Sequence, residues 1–214
     1  MTGVLAGRAV GAAGPKGEAI AQAALRLFLR DGYERTSVDA IAAEAGVSKR
    51  TIYNRYGDKE NLFRSVLQDT YDSMMATFRG IAEKHLGEVT DVQQSLTAFA
   101  LEVARTMTTA PDRIALVRLI MAEAPFFPAL VRAEQPSSTM HGNVAAFLAR
   151  LAGQGRLAIT DPTEAAEHLV ALTVNQINAR TTFGIVPISD AEVERIITGG
   201  VAAFVRAYRP PAER

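Results

Sequence analysis

The chain has 214 residues, of which 48% are hydrophobic and none is cysteine. This length and apolar content suffice for one large or two modest domains, and the lack of cysteine excludes disulfides and thiolate metal sites. The 23 basic and 23 acidic residues cancel, but residues 1–64 hold ten Lys or Arg against seven Asp or Glu. A basic first part joined to an acidic remainder is compatible with a DNA-binding head, although three charges alone are a weak signal.

The sequence gives no indication of a metal site, a membrane span or a signal peptide. The three histidines, His85, His141 and His168, stand far apart without metal-ligand spacing, so we expect no metal or cofactor. No apolar run approaches the roughly 20 residues that span a bilayer. Residues 1–15 are rich in Gly and Ala and lack the basic segment of a signal peptide, which predicts a disordered arm. We therefore expect a cytoplasmic protein with no membrane partner.

Helical periodicity runs through almost the whole chain, and strand signals are nearly absent. The first predicted helix spans Lys16 to Asp31. Gly32 supplies the left-handed residue that closes it, and Tyr33 is placed to pack back on Phe28. The fold class is therefore predicted to be all-α. Further helices are predicted over residues 38–44, 48–56, 58–84, 91–108, 112–124, 127–153, 162–182 and 189–208.

The stretch from Thr36 to Phe63 carries the clearest functional signal. Ala42 lies four residues before Gly46 and has a small side chain, which lets two helices cross closely. Gly46 can adopt the positive φ that a sharp turn between helices needs. These features predict a helix-turn-helix whose second helix starts at Ser48. Four apolar residues are spaced to join the two short helices to the first: Val38, Ile41, Val47 and Ile52.

The outer faces of this second short helix suit the major groove of DNA. Lys49 and Arg50 can donate to guanine O6 and N7 or to phosphate, and Asn54 can pair with adenine. Tyrosine hydroxyls and the start of the following helix can reach phosphates. A solvated helical hairpin is the alternative, but here the turn, the inward spacing and the exposed basic set coincide. The expected DNA-contacting residues are Thr36, Ser37, Ser48, Lys49, Arg50, Thr51, Tyr53, Asn54, Arg55, Tyr56 and Lys59.

The same stretch resembles the heads of the TetR family of bacterial regulators, which carry G-V-S-x-x-T-L/I-Y-x-x-F-x-S/D-K-E-x-L-F/L. Residues 46–63 are GVSKRTIYNRYGDKENLF, with Tyr56 where phenylalanine is usual. Residues 122–130, AEAPFFPAL, are similar to AefR-like C-terminal domains. The resemblance implies a two-fold dimer, an operator with two half-sites, usually repression, and release by a small ligand. We accordingly divide the chain into an arm (1–15), a helix-turn-helix three-helix head (16–62) and a helical-bundle regulatory and dimerisation domain (63–210).

The helices from Pro162 and Ser189 carry more apolar surface than a one-sided surface helix requires. In the last helix, Gly199 and Gly200 leave one side slim enough for another helix to approach. Burial on both sides would follow if the two helices met their symmetry mates in a four-helix bundle. An ordinary core within one chain is the alternative. The expected dimer interface consists of Leu169, Thr173, Ile177, Val193, Ile197, Gly200, Val201, Phe204 and Tyr208.

Methionine and aromatic side chains of the predicted regulatory and dimerisation domain could line an adaptable apolar cavity, since methionine fills irregular space. Plain core packing is the alternative. Polar groups also lie on the otherwise apolar helix from Pro162, and buried polar groups need partners, which a ligand or a second chain could supply. The expected ligand pocket consists of Met74, Met75, Phe78, Phe99, Met107, Met121, Phe126, Phe127, His168, Leu172 and Asn175.

Motifs of enzymes are not found. Residues 153–158 fit G-x-G-x-x-A only superficially, because they follow a helix and open no βαβ unit. We therefore predict a non-enzymatic, ligand-responsive DNA-binding transcriptional regulator, a repressor released from its operator by a small apolar molecule. Its expected partners are double-stranded operator DNA, a second copy of itself in a homodimer, and the effector. The alternatives are an activator and a small-molecule-binding helical protein without repressor activity.

Overall fold

The computed structural model describes residues 14–127 and 140–211, and all regular structure within them is helical, which confirms the all-α prediction. Residues 1–13 of the expected arm and the first part of the helix expected over 127–153 fall outside the described residues. A π-helical turn, Ala104–Thr108, extends the fifth helix. The helices are α1 (Pro15–Asp31), α2 (Val38–Ala45), α3 (Lys49–Tyr56), α4 (Lys59–Leu86), α5 (Val92–Val103), α6 (Pro111–Glu123), α7 (Met140–Gly153), α8 (Pro162–Leu172), α9 (Val174–Thr181) and α10 (Asp190–Ala207).

The chain divides into two compact units whose boundaries fall inside α4 and α6. The described residues of the first unit are 14–76 and 115–127, and those of the second are 77–114 and 140–211. The first unit thus continues beyond the head expected at residues 16–62 and takes in the end of α6. The physical reason is aromatic packing, since the ring centroid of Phe127 lies 5.4 Å from that of Phe63 and 4.9 Å from that of Tyr33.

Helix caps explain the local structure of the first unit. At the end of α1 the N–H of Gly32 donates to the carbonyl of Phe28, at 2.9 Å. At the start of α2 the Ser37 hydroxyl accepts the N–H of Ala40, at 3.1 Å. The core between these helices is apolar and almost fully buried from solvent. The residues that α1 contributes to it include Ile20, Ala23, Ala24, Leu27 and Phe28.

An aromatic cluster joins the turn after α1 to the rest of the first unit. The rings of Phe28 and Tyr33 stack with centroids 6.0 Å apart, which confirms the predicted packing of Tyr33 on Phe28. Phe28 also meets Phe63 of α4 edge to face, at 4.9 Å. The carboxylate of Glu123, at the end of α6, accepts the backbone N–H of Tyr33 at 3.1 Å. The turn between α1 and α2 is therefore held by both α4 and α6.

In the second unit α10 packs against α5, α8 and α9, and α7 packs against α8. The α10 crossing is close, because a Cβ on Gly200 would lie only 2.1 Å from the carbonyl oxygen of Leu172. At the same place the helix from Pro162 is broken at Thr173, whose φ and ψ are −122° and −91°. The Thr173 hydroxyl donates to the carbonyl of Leu169 at 2.6 Å, and α9 starts one residue later.

The apolar stripe of α10 faces the core of its own chain. Eight of the nine residues expected at a dimer interface are buried within the single chain: Leu169, Thr173, Ile177, Val193, Ile197, Gly200, Val201 and Phe204. The ninth, Tyr208, is half-buried and its hydroxyl lies 2.6 Å from His168 Nδ1. A side chain already covered by its own chain offers no surface to a partner. The intrachain alternative therefore describes these eight residues, and an interface on these helices must use their other faces.

Candidate functional site

The turn between α2 and α3 is built as the sequence predicts. Gly46 has φ 64° and ψ 33°, the left-handed conformation that glycine adopts without steric cost. Its N–H, together with that of Val47, returns to the carbonyls at the end of α2. The Ser48 hydroxyl then accepts the N–H of Thr51 at 3.1 Å and caps α3. The path of α3 is thus fixed at its first residue.

One face of α3 is anchored and the other is open to solvent. Ile52 is 1% exposed and belongs to the core of the first unit. Arg50, Tyr53 and Asn54 are exposed, and the side chains of Arg50 and Asn54 form no hydrogen bond to any residue in the described part of the chain. An anchored helix with unpaired donors on its outer face presents those donors to an external acceptor such as a base edge.

Lys49 is exposed but already has a partner. Its ammonium lies 2.9 Å from the carboxylate of Asp39 on α2, and this hydrogen bond and charge raise the pKa of Lys49. Both side chains are solvent-exposed, so the pair contributes little to stability. A phosphate could replace Asp39 as the partner, which keeps Lys49 in the candidate set.

Two predicted DNA-contacting residues have intramolecular roles instead. Thr36 is 3% exposed, and its hydroxyl donates to the carbonyl of Gly32 at 2.7 Å. The Lys59 ammonium donates to the carbonyls of Tyr33 and Thr36, at 3.0 and 3.2 Å, and lies 4.2 Å from the centre of the Tyr33 ring. Both groups are therefore engaged in closing the turn after α1, and their geometry gives no support to the prediction that they contact DNA.

The remaining residues that were predicted to contact DNA either stabilise the helices or are exposed to solvent. Ser37 and Ser48 use their hydroxyls as helix caps, and the Ser48 and Thr51 hydroxyls lie 2.8 Å apart. Tyr56 is half-buried and burial raises the pKa of its hydroxyl, while the guanidinium of Arg55 lies 5.9 Å from its ring centre. The exposed outer surface of α3 is accordingly smaller than expected, and its exposed members are Lys49, Arg50, Tyr53, Asn54 and Arg55.

The second unit contains a cavity of about 250 Å³. It is bordered by α4, α5, the π-helical turn and α7 to α9. Four residues of the expected ligand pocket line it: Phe78, Phe99, Met107 and Asn175. The rings of Phe78 and Phe99 meet edge to face, with centroids 5.6 Å apart.

The other seven expected pocket residues do not line this cavity. Met74, Met75 and Phe127 belong to the first unit, where Phe127 fills the aromatic cluster. Met121 and Phe126 are exposed, at 51% and 71%. His168 pairs with Tyr208, and Leu172 lies on the exposed face of α8. A methionine and aromatic stripe does not distinguish core from cavity or surface, because that depends on which elements pack around it.

Sequence reasoning missed most of the lining. Leu169 and Thr173, expected at the dimer interface, contribute to it, and so do the polar residues Thr108, His141 and Asn178. Asn178 follows Asn175 by three residues on α9, a helical spacing that could have linked the two. The break at Thr173 and the π-helical turn had no such signal. The apolar members that were missed are Ala100, Val103, Met140, Val144, Val170 and Val174.

Residues 14–127 and 140–211 include no group of three His, Asp or Glu side chains able to hold a metal ion. Among the helices of these same residues, none has the length and hydropathy needed to cross a membrane.

A capped helix with exposed basic and amide side chains, set across a left-handed glycine turn from a second helix, defines a helix-turn-helix DNA-binding protein. Comparison with known proteins agrees. The tetR family of bacterial regulatory proteins matches residues 20–66, and the C-terminal domain of AefR-like transcriptional repressors matches residues 94–210. The chain belongs to the TetR family of DNA-binding transcriptional regulators, which are not enzymes.

Similar proteins extend over nearly the whole chain. The DNA-binding transcriptional repressor TetR of Mycobacteroides abscessus is 26% identical over 205 residues, which cover 88% of this chain and 93% of the relative. A TetR-family regulator from Mesorhizobium loti has a crystal structure with 30% identity and a TM-score of 0.82, covering 91% of this chain and 96% of that one. The flavonoid-responsive regulator FrrA is 29% identical with a TM-score of 0.69, covering 92% and 98%.

Proposed function

We propose that this protein is a homodimeric repressor that binds a two-fold operator through α3 and leaves it when a small molecule occupies the cavity of the second unit. The observation that carries the proposal is the outer face of α3, where Arg50 and Asn54 are exposed while Ile52 on the opposite face is 1% exposed. A helix fixed in this way inserts its side chains into a major groove without reordering. With operator DNA as its partner, the protein acts in the cytoplasm.

A second copy is proposed to pack on the outer faces of α8 and α10. Gly199 supports this, because a Cβ built on it would meet no atom within 4 Å, in contrast to the neighbouring Gly200. Ala171 and Leu172 are exposed on α8, and Leu172 is 36% exposed. Small and apolar residues on neighbouring helices suit a two-fold helical interface. Two such heads would present their α3 helices to successive major grooves, about 34–36 Å apart.

The response to a small molecule is proposed from the cavity and from the relatives. FrrA is described as flavonoid-responsive, and the M. abscessus relative as a repressor. Because α4 and α6 each have residues in both units, we expect these helices to carry a change in the second unit to the head. Glu123 and Phe127, which hold Tyr33 within the first unit, are the contacts through which α6 would act. The ligand shifts the population of head spacings and thereby weakens operator binding.

The experiment is a gel shift with genomic fragments selected by the wild-type protein. Lys49→Ala/Arg50→Ala is compared with Arg79→Ala/Arg118→Ala, which removes the same charge from exposed sites outside α3. We expect the first pair to weaken binding about 100-fold or more, since each base or phosphate contact contributes roughly 1–3 kcal/mol. The second pair should change it only slightly. Equal effects of the two pairs, with both proteins folded, would refute α3 as the recognition helix.

A further inference from the structure

We propose that the cavity of the second unit takes a small, uncharged, aromatic molecule whose hydroxyl or carbonyl group hydrogen bonds to Asn175 and Asn178. This inference rests on the proposed function, because the occupant of this cavity is the expected effector, and it adds the chemical class of that effector.

The apolar part of the cavity selects for an aromatic ring. Phe78 and Phe99 are 2% and 4% exposed and meet edge to face, so their rings are held in place by the surrounding core. Fixed rings at this angle leave a face or an edge for a further ring to pack on. Met107, on the π-helical turn, adds a polarisable side chain that adapts to the edge of a ring.

The polar part lies on α9. Asn175 and Asn178 stand three residues apart, so their side chains share one face of the helix. Asn178 is half-buried and Asn175 is exposed, and neither amide forms a hydrogen bond with any residue in the described ranges, although both line the cavity. Each amide offers a donor and an acceptor. A hydroxyl or a carbonyl on the ligand would pair with Asn178 and replace water at Asn175. Both residues follow the break of the helix at Thr173, and Thr108 of the π-helical turn lines the same cavity.

The lining also restricts the charge of the ligand. None of the described residues that border the cavity is Lys, Arg, Asp or Glu. Among the described lining residues His141 is the one side chain that could pair with an anion, and without that pair a charged group would lose its hydration at a large cost in free energy. Arg113 is 1% exposed and belongs to the same unit, but it is not a lining residue. Arg113 could therefore pair only with a carboxylate that extends beyond the lining of the cavity.

The volume of the cavity limits the size of the ligand. About 250 Å³ lies just below the range of roughly 300–1000 Å³ that is typical of small-molecule sites. A molecule of two or three rings fits this space better than a long flexible chain, which would also lose more conformational freedom on binding.

The test is isothermal titration calorimetry on the full-length protein with four probes: 2-naphthol, naphthalene, 2-naphthoate and 1-decanol. The account predicts that 2-naphthol binds most tightly. Naphthalene should bind about tenfold more weakly, because it displaces water from the half-buried amide of Asn178 without replacing the hydrogen bond. Binding of 2-naphthoate should be weaker still. Asn178→Ala should weaken 2-naphthol about tenfold, whereas Gln176→Ala, an exposed amide on α9 that does not line the cavity, should not.

Each outcome decides something. Tighter binding of 2-naphthoate would replace the uncharged ligand by an anionic one, held by His141 if His141→Ala loses it and by Arg113 if Arg113→Met does. Tighter binding of 1-decanol would exclude the aromatic class. Equal affinity of Asn178→Ala for 2-naphthol, or no binding of any probe, would overturn the assignment. The gel shift of the wild-type protein is measured separately, so that a protein that binds its operator but not 2-naphthol refutes this inference and leaves the DNA-binding function standing.

Discussion

The helix-turn-helix unit and the cavity-bearing unit differ in how they fill space and satisfy polar groups. In the first, the Lys59 ammonium is surrounded by backbone carbonyls, and Glu123 accepts the N–H of Tyr33. In the second, the amides of Asn175 and Asn178 face a cavity, and Arg113 is buried with its three guanidinium nitrogens unpaired among the described residues. Burial lowers the pKa of Arg113, as expected for a cation without a partner.

This difference separates two tasks. DNA recognition needs side chains held at fixed positions, and a packed core with closed hydrogen bonds supplies that. A ligand response needs a region whose packing has a second favourable arrangement, and a cavity with unpaired polar groups supplies that instead.

The largest effect is expected in the core of the first unit. Phe63 is fully buried and contacts three other aromatic rings, so Phe63→Ala should lower the free energy of unfolding by about 3–5 kcal/mol. Urea denaturation followed by circular dichroism measures this loss. A loss below about 1 kcal/mol would mean that the head is not the tightly packed unit described above.

Removal of the buried cation in the second unit should have the opposite sign. Arg113→Met replaces an unpaired guanidinium by an apolar side chain of similar length, and should raise the free energy of unfolding by about 1–3 kcal/mol. Arg118→Met, on an exposed position of the same helix, is the control and should change stability little. A destabilised Arg113→Met protein would show that the guanidinium has a partner in solution.

One substitution made in both units should give contrasting results. Ala24 is 0% exposed in the head core, and Ala100 lines the cavity. Ala24→Leu overpacks a filled core and should cost about 1–3 kcal/mol. Ala100→Leu enters existing space and should leave stability nearly unchanged while abolishing ligand binding. Thermal unfolding of both variants makes the comparison, and equal destabilisation would contradict the presence of usable space around Ala100.

The smallest effect concerns the ion pair on the DNA-binding surface. Asp39→Asn frees Lys49 from an exposed pair, so the free energy of unfolding should change by less than about 1 kcal/mol. Operator affinity should rise several-fold, because Lys49 no longer has to leave Asp39 to meet phosphate and one carboxylate that repels phosphate is removed. Glu44→Gln removes the same charge beside Arg26, away from α3, and should not reproduce the effect. Identical gains from both variants would indicate a general charge effect.

The head was predictable because its signals are local. Ser37, Gly46 and Ser48 fix the ends of α2 and α3 through contacts within four residues. Such short-range contacts can be predicted from the residue types and their spacing. Lys59 and Thr36 were assigned to DNA because a sequence gives the chemistry of a side chain but not the direction in which it folds. The carbonyl partners of Lys59 lie in the turn after α1, more than 20 residues away, whereas the Thr36 hydroxyl turns back to the carbonyl of Gly32 only four residues before it.

The second unit was less predictable because its cavity is assembled from helices that are far apart in the sequence. The cavity residues come from helices separated by about 100 residues, and neither the π-helical turn nor the break at Thr173 has a sequence signature. The stripe on α10 was correctly identified as apolar. Periodicity shows that a face is buried but not by which chain, and here the chain's own α5, α8 and α9 bury it.

The presence of two α3 helices in successive major grooves can be measured by site-directed DNA cleavage, because the chain has no cysteine of its own. A single cysteine introduced by Asn54→Cys, on the outer face of α3, carries an iron–EDTA group that cleaves nearby DNA, and Gln176→Cys carries the same group in the second unit. The account predicts two clusters of operator cleavage from position 54, one helical turn of about 10 base pairs or a multiple of it apart, and none from position 176. Cleavage from position 176, a single cluster from position 54, or no localised cleavage by an operator-bound Asn54→Cys protein would contradict it.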